Sequence, residues 1–402
     1  MDRRSFCRNA LLLPGLLAGR RAFAQTHDHA AMTAGDGEFN PFVVSDHQDG
    51  FLIAFVARKE ARSDVFFQRA LTGGGFSEPV RVNNRPGDGA VRNENPPKIA
   101  VGQAGEIYVV WASERERWKG DIRFARSLNG GKSFEPAIEL NSGAAGPAVG
   151  RAFESIAVDT QGRIFVAWID ERNKKESDRG AEIWMTVSED RGKSFQPDRR
   201  ILSNVCECCR TALATDPAGT IFITYRTVPQ SGPMFRDIGI ARSSDGGRSF
   251  QTSIVNHDGW EINACPIAGA TLAIDSAGRI HVVWFTQSGE TPRLHIASSS
   301  DHGASFSKPD VFDPDQKVAK HAHAVVTRDN RLLIAWDDTN GGPIVKWGLY
   351  DAGRRSMKQL GMQAGASYPI AAANATRFSV VALQPDRPEV FRSIRVLGSS
   401  SR

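Results

Sequence analysis

Apolar and polar positions alternate with a period of two through most of the chain, and helical periodicity is missing throughout. The recurring unit is a short alternating strand, a turn carrying glycine, and a more apolar strand ending in a large aromatic. It runs from Lys98-Ile99-Ala100-Val101 to Ile107-Tyr108-Val109-Val110-Trp111, and again from Ser155-Ile156-Ala157-Val158 to Ile164-Phe165-Val166-Ala167-Trp168. Further copies end at Tyr225, Trp284 and Trp336, a first spans 42–56, and a weaker last spans 370–383. A third strand follows each copy, such as 183–187, and a fourth usually comes after it, such as 200–202. Four strands per unit, repeated radially, predict an all-β propeller. Seven repeats are counted. Six remain possible, because the last unit lacks a clear outer strand and could complete a neighbouring sheet.

Between third and fourth strands lie four copies of one phrase: Ser127 to Phe134, Ser188 to Phe195, Ser243 to Phe250 and Ser299 to Phe306, with starts 55 to 61 residues apart. Each joins a serine, a short polar residue (Asn129, Asp190, Asp245, Asp301), glycine and a closing phenylalanine. That composition makes a tight turn: the polar side chain accepts from nearby backbone N–H groups, and glycine supplies positive φ. The phrase resembles the Asp-box, or bacterial neuraminidase repeat, of the sialidase-like β-propellers. The resemblance covers nearly all of the chain after its first residues. It implies the fold, with the boxes as structural turns away from the catalytic face. Degenerate boxes stand at 70–76 and 350–356.

The first residues read as an export signal. Arg3-Arg4-Ser5-Phe6 is a twin-arginine motif, followed by an apolar run from Ala10 to Leu17 and a small-residue cleavage site after Ala24. Residues 25–39 read as a flexible tail and 40–402 as a single propeller domain, periplasmic or secreted. The apolar run is too short to span a bilayer, so no membrane association is expected after processing. The formal net charge of +5 owes most to Arg3, Arg4, Arg8, Arg20 and Arg21, set against Asp2. Without residues 1–24 it falls to about +1, and nothing argues for a nucleic-acid partner.

In a propeller the segment before each innermost strand converges on one face of the axis, as do the loops joining second and third strands. Those segments read Glu94-Asn95-Pro96, Arg151-Ala152-Phe153-Glu154, Cys206-Glu207-Cys208-Cys209-Arg210, Cys265-Pro266, His321-Ala322-His323 and Tyr368-Pro369. A small-molecule or glycan ligand is expected in that funnel.

Cysteine is the most unusual element. Cys7 belongs to the signal, leaving Cys206, Cys208, Cys209 and Cys265. Cys206 and Cys265 occupy equivalent positions of adjacent repeats. Full oxidation requires a bridge within 206–209, and 206–209 with 208–265 is the chemically acceptable pairing, giving a C-x-x-C of redox type. The competing reading is a metal site, copper or zinc, in which Cys206, Cys208, Cys209 and Cys265 are joined by His321 and His323; alternation would turn both histidines to the funnel. A processed amino end Gln25-Thr26-His27, with His29 and Met32 behind it, offers a separate Cu(II) chelate, unless it stays inert.

The sialidase resemblance implies a Tyr–Glu nucleophile pair and three arginines on the substrate carboxylate. Tyr368 stands where the nucleophile would, Glu154 could be its partner, and Arg151, Arg210 and Arg226 could supply a clamp; packing at a blade entrance is the reading of Tyr368 set ahead of that role. The family's first arginine is missing, because its place reads Asn40-Pro41-Phe42. Three functions therefore stay open: a Cys/His metal or redox site in the funnel, a sialidase or related glycoside hydrolase, and a non-catalytic glycan- or protein-binding propeller stapled by disulfides.

Overall fold

The computed structural model describes residues 36–396, apart from 47, 72–73, 93, 117, 144–145, 290, 312–318, 339–340 and 388. The twin-arginine segment and the tail residues Gln25, His27, His29 and Met32 lie outside the described residues. What is described is all strand and turn, in seven antiparallel sheets that follow one another along the chain. They are numbered here as blades 1 to 7: 37–81, 98–139, 151–205, 212–256, 271–311, 319–364 and 367–396. Blades 1 to 6 have four strands, and blade 7 has three among the described residues. The unit lacking an outer strand thus forms its own sheet, and the count is seven. The first strand opens at Gly37, inside the stretch read as tail.

Burial follows from position in the ring. The second strand of each blade is covered on both faces by neighbouring sheets, so Ile107–Ala112, Ile164–Asp170, Ile221–Arg226, Ile280–Thr286 and Leu332–Asp338 are buried throughout. This is why they read as near-continuous apolar runs rather than alternating ones. Trp111, Trp168, Trp284 and Trp336 fill the widening gaps between blades. Three of their indole N–H groups donate to aspartate oxygens: Trp111 to the Asp88 carbonyl at 2.9 Å, Trp168 to Asp170 Oδ2 at 2.9 Å and Trp284 to Asp258 Oδ2 at 2.7 Å. Outermost strands shrink to two residues in Val80–Arg81, Ile138–Glu139 and Asp310–Val311, which blunts the free sheet edges.

Ring closure is apolar. Val43, Phe51, Ile53 and Phe55 of blade 1 pack on Ile370, Ala372, Val381 and Val390 of blade 7. Among the described residues, no strand of one terminus completes the sheet of the other; first and last blades meet as neighbours do elsewhere.

The boxes lock adjacent blades. In the second, Asp190 Oδ1 accepts from Ser194 N at 2.9 Å and from Ser188 Oγ at 2.9 Å, while Gly192 N donates to Ser188 Oγ at 2.9 Å. The box phenylalanine reaches into the preceding blade: Phe195 meets Phe124 with centroids 4.8 Å apart, and Phe134 meets Phe67 at 5.6 Å. A third-strand arginine reaches forward to the next box, Arg126 to the Arg191 carbonyl at 2.9 Å and Arg242 to the His302 carbonyl at 3.1 Å. Because strands alternate in direction, every box lies at the end of its blade opposite the segments that precede the innermost strands.

Candidate functional site at the mouth of the axial channel

The seven innermost strands line a cavity of about 380 Å³ on the axis, with Lys98, Arg210 and His323 among its walls. In four blades the innermost strand enters through the same irregularity. Two of its residues oppose one residue of the second strand at Asn40-Pro41, Phe153-Glu154, His321-Ala322 and Tyr368-Pro369. The first residue of each pair has positive φ: 54° at Asn40, 57° at Phe153, 49° at His321 and 56° at Tyr368. None is glycine, so each costs about 1–3 kcal/mol of backbone strain. A bulge of this kind re-aims a side chain, and repetition around the axis makes it a property of the mouth.

His321 shows what the bulge does. Strict alternation would put its ring on the same side as His323, but the extra residue breaks the alternation. The ring instead lies between two buried carboxylates, with Nε2 2.6 Å from Glu94 Oε1 and Nδ1 2.5 Å from Asp337 Oδ2. Burial alone would lower its proton affinity; Glu94 and Asp337 together overcome that and push it up to about 9. At neutral pH it is an imidazolium clamped between blades 2 and 6. The Tyr368 ring lies against it, centroids 4.4 Å apart, and the Tyr368 backbone N–H donates to Asp337 Oδ1 at 2.9 Å.

The second constellation lies deeper. Glu154 is fully buried, and desolvation pushes its carboxyl up to about 7 against the pull of nearby Lys98, Asn95 and Arg92. Desolvation likewise lowers Lys98 to about 8, opposed by Glu154. Lys98 Nζ also donates to the Pro96 carbonyl at 3.2 Å and sits 5.0 Å from the Phe42 ring centre. His323 is held neutral, lowered to about 3 by burial and by the charges of Arg210 and Lys98; its Nδ1 accepts from Ala371 N at 3.3 Å. Arg210 donates to the Ala322 carbonyl.

Of the proposed clamp, Arg210 reaches the channel. Arg151 is buried and committed to Asp170 Oδ2 at 3.0 Å and Asp121 Oδ1 at 3.2 Å. Arg226 donates to the backbone carbonyls of Ala268, Phe285 and Arg236, which makes it a structural cation. The carboxylate that meets Tyr368 is Asp337, from the neighbouring blade. Lys98, Glu94 and Asp337 form the working set with residues already named. A lysine in an otherwise apolar strand, at the repeat position of His323, was the signal for Lys98.

The sulfurs form a separate cluster between blades 4 and 5. Cys208 and Cys265 are joined in a disulfide, while Cys206 and Cys209 are buried thiols. Cys206 Sγ lies 2.9 Å from Cys209 Sγ and 3.5 Å from Cys208 Sγ. Cys206, Cys208 and Cys265 offer sulfurs all within 4.8 Å of one another, and neither histidine joins that group. Hydrogen bonding from Cys209 lowers the Cys206 thiol, and burial raises that of Cys209.

The profile of a family described as "BNR repeat-like domain" matches residues 48–401. No curated protein sequence matches the chain. Among solved structures, a protein of unknown function from Dyadobacter fermentans DSM 18053 is similar at 14% identity and TM-score 0.54, over 90% of this chain and 95% of that one. The Hadza microbial sialidase Hz136 is similar at 14% identity and TM-score 0.53, over 87% and 77%. A PL25 ulvan lyase bound to -[GlcA(1-4)Rha3S]- is similar at 13% identity and TM-score 0.58, over 90% and 94%. At these identities the likeness is one of fold.

Proposed function

Because the chain belongs to the BNR repeat-like domain family, we propose that it is an exported propeller that binds and processes an anionic glycan at the mouth of its axial channel. One observation carries the reading. Two cations, Lys98 and Arg210, line the channel close to the buried Glu154, whose carboxyl is pushed up to about 7. Cations of this kind suit a sugar carboxylate or sulfate. Glu154 is buried behind the wall, so its carboxyl, half-protonated near neutrality, acts through the neighbouring Lys98, whose charge and proton it sets beside the held anion. Perturbed ionisable groups gathered at a cavity are the physical mark of such sites. One solved neighbour carries -[GlcA(1-4)Rha3S]- and another is named a sialidase, so acidic sugars come first. Uronate-containing or sulfated chains are favoured over sialic acids, since Arg151 and Arg226 are engaged elsewhere and Asn40 stands where the family has an arginine.

The test is incubation of the signal-processed protein with uronate-containing, sulfated and sialylated polysaccharides, following reducing ends and unsaturated products. Lys98→Met and Arg210→Met should each lose at least about tenfold in kcat/KM, the scale of one charge-assisted contact. Absence of binding and turnover on all three classes would sink the reading.

A second reading is carried by the sulfurs: a cysteine-based metal or redox centre, without His321 or His323. Three sulfurs within 4.8 Å suit copper or zinc once Cys208–Cys265 is reduced. Element analysis under reducing conditions, alongside a count of thiols, decides between metal and redox forms.

A further inference from the structure

We propose that Cys206, Cys209 and the Cys208–Cys265 disulfide form a thiol–disulfide relay that passes two electrons between a buried dithiol and an exposed disulfide. The inference rests on the redox form of the second reading and is independent of the glycan site. A staple tying the loop before blade 4 to the loop before blade 5 needs one disulfide, and Cys208–Cys265 supplies it. The structure adds a dithiol at contact distance. Cys206 and Cys209 are buried, with Val228 and Met234 packed around them, whereas Cys265 is exposed and Cys208 is half-buried. Cys206 Sγ stands 3.5 Å from one bridge sulfur, Cys208, and 2.9 Å from Cys209. It therefore touches both partners that an exchange sequence requires.

The steps balance without an added oxidant. The Cys206 thiolate attacks Cys208 Sγ, forming a 206–208 bond and breaking the 208–265 bond. Cys265 leaves as a thiolate into solvent and takes a proton. Cys209 then loses its proton and attacks Cys206 Sγ, forming a 206–209 bond and releasing Cys208 as a thiolate, which is protonated in turn. One disulfide and two thiols stand on each side. The buried pair is oxidised, the exposed pair is reduced, and Cys208 and Cys265 are then placed to reduce an external disulfide.

The experiment uses the folded, full mature chain with its single disulfide, held at about pH 8 with iodoacetamide present throughout and no reductant. Quenching and peptide mapping follow. Alkylation of the exposed Cys265 and Cys208 should drain the exchange, yielding a 206–209 disulfide with both outer cysteines labelled. Cys206→Ser should abolish that labelling and keep 208–265 intact. Cys209→Ser should stop at the first step, giving a 206–208 disulfide with Cys265 labelled. Should a variant fail to fold, the wild-type map still decides. An intact 208–265 bridge with label confined to Cys206 and Cys209 overturns the relay but leaves a redox centre standing. Stoichiometric copper or zinc, with all four cysteines protected until chelation, overturns both.

Discussion

At the scale of single residues, the mouth is an exercise in proton bookkeeping. Glu154 has a folded-state pKa of about 7, above the 4.5 of an unperturbed glutamate. Between those values the unfolded chain ionises while the folded one keeps its proton, so stability is full below about 4.5 and is lost as pH rises through 7. Glu154→Gln removes that loss. Lys98 then loses a favourable neighbour and releases its proton more readily, which shifts the pH dependence in the same direction. Relative to wild type, the variant should gain stability steadily between pH 4.5 and about 7, read as urea midpoints across that range. A parallel pair of pH profiles would contradict the raised carboxyl. His321 follows the sign of a stabilised cation: its contribution is complete below 6.5 and disappears as pH rises through about 9. His321→Ala leaves Glu94 and Asp337 buried without their shared cation and should cost about 3–5 kcal/mol at neutral pH. Its thermal midpoint should recover partly at acidic pH, where Asp337, its carboxyl raised by burial, takes up a proton.

At the scale of elements, what could be read from the chain divides by the range of the interaction. The boxes were legible because everything that makes them is local, from serine to phenylalanine within eight residues. The bulges were not. A register shift is decided by which residue of the second strand lies opposite, and no local pattern states that. This is why alternation placed His321 beside His323, whereas Ala322 separates their directions and puts one in a carboxylate clamp and the other in the channel wall. The gathering of Cys206 with Cys265 was legible from repeat spacing; the division of the four sulfurs into bridge and dithiol was not. The boxes also permit a clean test of their role between blades. Gly192 has φ 74°, and a Cβ there would come within 2.7 Å of the Phe124 ring of the preceding blade; Gly162 has φ 79° with nothing within 4 Å. Gly162→Ala meets backbone strain alone and should cost about 1–2 kcal/mol. Gly192→Ala adds overpacking of about 1–3 kcal/mol. Equal denaturation midpoints for the two variants would show that the boxes do not grip their neighbours.

At the scale of the whole molecule, the site depends on a ring that, among the described residues, closes without exchanging strands. Blades 1 and 7 are the two ends of the chain, and a cluster of buried aliphatic and aromatic side chains holds them together. Glu38 adds a polar tie, accepting from Val390 N at 3.1 Å and from Arg392 Nη2 at 2.8 Å. If the seam matches the interior junctions in packing, it is no weaker than any other interface, and the mouth stays rigid enough to hold strained bulges. Two isoleucines make the comparison direct. Ile53 is fully buried at the seam, and Ile223 is fully buried between blades 3 and 4. Truncating either to alanine should cost about 2–5 kcal/mol, with the two values within about 1 kcal/mol of each other and an unchanged denaturant slope. A seam that breathes would behave otherwise. Ile53→Ala would then cost little, and amides of blades 1 and 7 would exchange hydrogen ahead of the rest. That outcome would also undo the axial constellation, because Asn40 and Tyr368 enter the mouth from those two blades and can be positioned only while the seam is shut.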